Sequence, residues 1–406
     1  MPKRLITVLL SLLILAAVPA TAQKAFKTVN TALKDKKYSD AIKAIQKLRN
    51  DTALQHSPKL ELFTIEANKG LNDAENTKLY LKKSYDTLTF FSTTLEIVKA
   101  CVRLDSMERA QNNGEGKKTK NQRFAIENLK QYFPNLNAGA RFLFKRKKYT
   151  EALPYLTICI ETPRTSLGKE AALDTTLEAK NAVLHVNCAY NAKQYSRAQR
   201  FEDLALTDTA VRPYTLECLA LTAEARKDTA TYCKRLTEGW TDYPTRLSFF
   251  VRLADLYSKR NNYVQVLRMA EAQLKADTLY LPAMLARCNA TFHLQQYTTC
   301  IEAARNLLNA DSTNIDTHYY IGASYAALAD KVSLPDNINS AAYRKAIQAR
   351  KVYAKAAEPE LEAYRTAAPD EQKRWAPLLY QVYLTLNRGK KFAEIDTLLQ
   401  NTQQQQ

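Results

Sequence analysis

The side chains best able to bind a metal or move a proton are four histidines, His56, His185, His293 and His318, and seven cysteines spread over 406 residues. A metal site needs three or four ligands at one point. Only His293 and His318 fall where neighbouring helices could bring a pair together, and two dissimilar neighbours do not make a ligand set. The cysteines (Cys101, Cys159, Cys188, Cys218, Cys233, Cys288 and Cys300) form an odd set without CxxC spacing, which disfavours zinc and thioredoxin-like chemistry. The sequence has no GxSxG, no GxGxxG, no HExxH and no GxxxxGK followed by Ser or Thr. Glu358 and Glu362 stand at helical spacing among basic neighbours, the pattern of a solvated face. Only 8 glycines and 13 prolines are present, about 5% of the chain against an average near 12%, which leaves few phosphate loops or nucleophile elbows to build. The expectation is a protein without enzymatic activity, cofactor or metal.

The spacing specifies a scaffold instead. From Ala179 to Gln348 a pattern of small and aromatic residues returns every 34 positions, in blocks Ala179–Arg212, Pro213–Arg246, Leu247–Tyr280 and Leu281–Asn314, with a fifth opening at Ile315. The eighth positions are Val186, Ala220, Ala254, Cys288 and Gly322, and the twentieth are Ala198, Tyr232, Val266 and Cys300. Positions 4, 8 and 11 lie about one turn apart on a first helix, and 17, 20, 24 and 27 do the same on a second. Such a hairpin cannot bury its apolar stripe alone, so a fixed period of this length means a stacked array.

Tyr320-Ile321-Gly322-Ala323-Ser324-Tyr325, together with Phe250, Leu253, Ala254 and Tyr257, resembles the first helix of a tetratricopeptide (TPR) repeat. Tyr263-x-x-Val266-x-x-x-Ala270 and Tyr297-x-x-Cys300-x-x-x-Ala304 resemble its second helix. Arg287 at a position 7 and His318 at a position 4 depart from the pattern, being polar where the family is apolar. The resemblance covers about 170 residues and implies an all-α, right-handed superhelical solenoid of about nine or ten helix-turn-helix pairs. It also implies a concave groove lined by positions 2, 5, 9 and 12, used for proteins or peptides. The residues there include Asp255, Asn289, Phe292 and Tyr319. Asn289 is suited to hydrogen-bond an extended backbone, and Phe292 and Tyr319 offer apolar contact. The carboxylate clamp of chaperone-binding members is not expected, because Val251 with Asp255 and Leu285 with Asn289 do not supply its Lys and Asn. Cys288 and Cys300 fall where the two helices of a hairpin approach most closely, and are either a disulfide or simply small core residues.

Residues 1–22 read as a cleaved export signal: Lys3 and Arg4, an apolar run from Leu5 to Val18, and Ala20-Thr21-Ala22 before Gln23. No cysteine follows the cleavage point, so the expectation is a periplasmic protein that is not a lipoprotein. Loss of Lys3 and Arg4 takes the net charge from +18 to +16. An excess of this sign favours polyanions, and in an exported protein these are acidic glycans or anionic lipid headgroups, not nucleic acid. The basic candidates are Lys117, Lys118, Arg141, Lys145, Arg146, Lys147 and Lys148.

The expected organisation continues with irregular repeats over 23–166, an insertion over 167–178, the regular array over 179–348, capping helices over 349–402 and a disordered tail over 403–406. Within it, Leu71-Asn72-Asp73 is expected to turn the chain, helices at 124–132 and 136–143 to be separate, and Pro359 to kink or split its helix.

Overall fold

The computed structural model describes residues 26–51, 54–111 and 118–404, the last four by backbone alone. The expected export signal therefore lies outside the described residues, as does Lys117. Every regular element among them is helical. Contacts divide the chain into two compact units, one ending at Tyr232 and the other beginning at Cys233.

Unit 1 opens with α1 (26–34), α2 (Tyr38–Arg49), α3 (Pro58–Tyr80), α4 (Thr87–Gln111), α5 (Lys120–Lys145) and α6 (Tyr149–Glu161). Each of α2 to α6 packs on the next. The expected turn at Leu71-Asn72-Asp73 does not form, since α3 runs unbroken through it. Tertiary contacts override the turn propensity of these residues. The Asn72 carboxamide donates to Phe90 O at 2.8 Å and to the Thr93 and Thr94 hydroxyls at 3.0 Å, fastening α3 to α4. Gly70 makes room for Tyr38, whose ring would lie 2.3 Å from an added Cβ. The helices expected at 124–132 and 136–143 are one, with Pro134 inside it. Its start is fixed by a capping box in which Thr119 Oγ1 accepts from Gln122 N at 3.1 Å and Gln122 Oε1 accepts from Thr119 N at 2.9 Å.

The insertion is a 3-10 turn (Thr162–Arg164) followed by α7 (Ser166–Glu170), after which the regular array starts with α8 (Glu178–Asn191). Its second helix is broken, into α9 (Tyr195–Ala198), a 3-10 turn (Gln199–Phe201) and α10 (Glu202–Ala205). The break brings the Phe201 ring edge-on to His185 at 4.8 Å. α11 (Arg212–Ala225) completes the unit, and α12 (Thr229–Asp242) carries the division.

Unit 2 continues with α13 (Leu247–Lys259), α14 (Tyr263–Ala276), α15 (Leu281–His293), α16 (Tyr297–Ala310), α17 (Asp316–Asp330), α18 (Ala341–Ala367), α19 (Gln372–Leu386) and α20 (Gly389–Gln404). Each of α13 to α20 again packs on the next. Pro359 neither ends nor splits α18, which spans 27 residues and buries Ala354, Ala357, Leu361 and Tyr364. Burial of this stripe against α17 and α19 outweighs the backbone bond that proline removes. α20 extends to Gln404, into the tail expected to be disordered. Glutamine is a good helix former and nothing there breaks the pattern.

The 34-residue period is written into the backbone. Lys193, Lys227, Asn261 and Gln295, all at position 15, have φ between 56° and 60°. Each sits just past a first helix, and the next residue donates back five positions, as from Asn262 N to Tyr257 O and from Gln296 N to Thr291 O, both 2.9 Å. This is the Schellman closure, with its left-handed residue at C′. The eighth positions, Val186, Ala220, Ala254, Cys288 and Gly322, are all buried. At Gly322 an added Cβ would stand 2.7 Å from Leu361 Cγ, so α17 and α18 meet there at backbone distance.

Candidate functional site

The histidines do not converge. His56 is exposed. His293 stacks on Tyr263 at 4.1 Å and 7°, while Nδ1 of His318 lies 2.6 Å from Glu360 Oε2, so the two have separate partners. His185 is fully buried, its Nδ1 has no hydrogen-bond partner, and its pKa is pushed down to about 4 by burial and then by Arg200 and Arg197. Among the described residues no cluster of three or more His, Cys, Asp or Glu could hold a metal. All seven cysteines are free. Cys288 and Cys300 approach without a disulfide, Cys300 Sγ lying 3.4 Å from the Cys288 carbonyl oxygen in place of a bonded sulfur. Burial raises the thiols of Cys101, Cys188, Cys218 and Cys288 to about 12, far from a reactive thiolate.

The first helices of unit 2 offer more. They touch in series, α13 with α15, α15 with α17 and α17 with α19, and so present one continuous face. Of the four groove candidates, Phe292 and Tyr319 are brought together with ring centroids 6.1 Å apart, both half-buried against the core. Asn289 stands one turn before Phe292, and its Oδ1 is shielded from solvent without a hydrogen-bond partner. Asp255 does not join them. It is exposed and paired along its own helix with Lys259 at 2.7 Å.

Two residues beyond the regular register, Arg374 and Tyr364, complete this patch with Asp316, the second position of the fifth block. The Arg374 guanidinium lies over Tyr319 at 4.0 Å and donates to Asp316 Oδ1 at 2.9 Å and to Tyr364 OH at 2.6 Å. Tyr364 in turn packs on Tyr319 at 5.3 Å. Arg374 comes from α19, beyond the long α18 that interrupts the 34-residue register, so no positional rule pointed to it. Its only sequence signal is the basic pair Lys373-Arg374 beside Trp375 at the start of a largely apolar helix.

The basic candidates sit at the end of α5 and in the turn that follows. Arg141, Lys145, Arg146 and Lys147 are exposed, and Arg146 lies over the Phe142 ring at 4.3 Å. Arg141, Lys145, Lys147 and Lys148 have no ion pair among the described residues, whereas Lys118 is paired with Glu170 at 3.1 Å. Cations at a helix C-terminus also complement its dipole.

Unit 1 contains a groove of about 1050 Å³ that the degenerate register concealed, walled by α3 with Tyr38, the end of α4 and the start of α5. Lys59 lies over Phe26 and Phe63, and Lys69 over Phe124 and Tyr132, all within 6 Å. In the first turn of α3, Glu61 is fully buried between Arg49, in a fork of 2.8 and 2.9 Å, and Arg103, at 2.9 Å but off the line of a hydrogen bond.

No family model and no curated protein matches the sequence. Among solved structures the chain is similar to the C-terminal part of a TPR repeat-containing protein from Cytophaga hutchinsonii, at 14% identity, 63% of this chain, 91% of that one and a TM-score of 0.41. It is also similar to yeast Tom70, at 14% identity, 91% of this chain, 77% of that one and a TM-score of 0.28. The 34-residue period, the left-handed turn at its fifteenth position and the hairpins these produce make the chain a TPR-like all-α array.

Proposed function

We propose that this chain is an exported, non-enzymatic scaffold of the cell envelope that holds an extended segment of a partner protein against the first helices of unit 2. One observation carries the reading. The Asn289 Oδ1 is shielded and unpartnered one turn from Phe292, whose half-buried ring adjoins Tyr319. A buried acceptor left without a donor is costly, and a turn of the Asn289 carboxamide would offer it to a peptide N–H laid along this face while the two rings take an apolar side chain.

Because Phe292 and Tyr319 also pack on the core, the cleaner change is Asn289→Ala. Peptides selected on the purified protein from a displayed library are expected to bind this variant about tenfold more weakly, the effect of one or two lost hydrogen bonds. Helical circular dichroism should be unchanged. Failure to select any peptide, or equal affinity for the variant, would remove this face from consideration. A second reading, binding of acidic glycans or anionic lipid headgroups, rests on the unpaired, exposed Arg141, Lys145 and Lys147.

A further inference from the structure

Position 7 of the repeat is where the first helix turns its side chain toward the gap between successive second helices. His185, Leu219, Leu253 and Ile321 occupy it in the other blocks and are at most 2% exposed. In the fourth block the residue is Arg287, and the gap is not filled. A cleft of about 440 Å³ opens between α14 and α16, with Arg287 and Met284 from α15 at its base, Leu274 from α14 on one side, and Ala303, Asn306 and Asn309 from α16 on the other. No Asp or Glu lines it. The Nε of Arg287 is shielded from solvent without a hydrogen-bond partner, and the guanidinium has no ion pair among the described residues.

The terminal nitrogens, which are not shielded, have no partner among the described residues either, and an unpaired guanidinium facing a cleft lined by no acid is what a bound anion would satisfy. The chemistry of the walls narrows the anion. The two terminal nitrogens of a guanidinium present parallel N–H groups, which match a carboxylate in a fork. Beside it Leu274, Met284 and Ala303 form an apolar wall. The volume lies in the lower part of the range for small-molecule sites, about 300–1,000 Å³, and is too small for an extended peptide. We propose that this cleft binds an aliphatic monocarboxylate, its carboxylate forked by Arg287 and its chain laid along Leu274, Met284 and Ala303. The site lies behind the first helices and is independent of the face assigned to a peptide.

The test is calorimetric titration of the full chain with octanoate, octanol and octylamine. Octanoate is expected to bind at least about tenfold more tightly than either analogue, because only it can use the fork. Arg287→Leu, which installs the residue found at positions 219 and 253, is expected to weaken octanoate by about tenfold to a hundredfold while the protein melts no lower. Asn306→Trp, at an exposed position on the rim, is expected to block the cleft without changing charge. The proposal is overturned if octanoate does not bind, if octanol binds as well, or if Arg287→Leu retains full affinity. It is equally overturned if a short peptide with a free C-terminal leucine binds more tightly than octanoate, since the cleft would then read chain ends.

Discussion

Replacing Glu61 with glutamine is expected to cost unit 1 about 3 kcal/mol, because removing one partner of a buried ion pair strands the charges left behind. Glu61 has no exposure, while Arg49 and Arg103 keep 28% and 34% of their side-chain exposure. Water therefore relieves part of the penalty, and the value sits at the low end of the range for fully buried pairs. The carboxylate joins three helices: Arg49 comes from α2, Glu61 from α3 and Arg103 from α4. Its loss should loosen the wall of the groove that Lys59 and Lys69 overlook. The measurement is the urea midpoint of the full chain, compared with a triple variant in which Arg49, Glu61 and Arg103 become Met, Leu and Met. Recovery of most of the lost stability in the triple variant identifies charge burial as the cause. A Glu61→Gln midpoint within error of the parent would show that the two arginines hold the helices without it.

The second large effect is a loss of stability on acidification, carried by His185. An unfolded histidine titrates near 6.5, whereas in the fold this one is held down at about 4. Between those values the unfolded chain binds the extra proton. The stability is therefore fully present above pH 6.5 and falls as pH drops toward 4, by about 3 kcal/mol in all. The groups facing the imidazole are the Phe201 ring edge and the cations Arg200 and Arg197, none of which stabilises a second positive charge. His293, also depressed by burial, contributes with the same sign in unit 2. Comparison with His185→Leu separates the two. The parent should lose midpoint more steeply than the variant between pH 6.5 and 5, above the range where most carboxylates titrate. Parallel curves would mean that His185 is protonated in the folded chain.

The sequence carried the architecture because the period is long and the side chains at its small positions have one physical job. Val186, Ala220, Ala254, Cys288 and Gly322 let helices approach, and that requirement repeats with every hairpin. Local breakers were misleading where tertiary packing supplied what the backbone lacked. Asn72 looks like a turn residue until its carboxamide is seen spending its hydrogen bonds on α4. Pro134 and Pro359 look like helix ends until the stripes around them are seen buried. Of the groove candidates that periodicity aligned, Phe292 and Tyr319 come into contact and Asp255 does not, since a face shared in register need not be shared in contact. Arg374 lay beyond the reach of any period, because α18 and the loop before it shift the frame. The departure of Arg287 from the apolar rule was visible in the sequence. Its meaning, an open cleft lined by no acid, needed three dimensions.

The central claim is that the first helices of unit 2 form the surface that holds a partner. Its most direct measurement is photo-crosslinking of a selected peptide carrying a benzophenone side chain, with the attachment points mapped by mass spectrometry. The account predicts adducts on α15 and α17, centred on the turn from Asn289 to Phe292 and on Tyr319. Adducts confined to α14 and α16, or to the basic residues between Lys118 and Lys148, would contradict it.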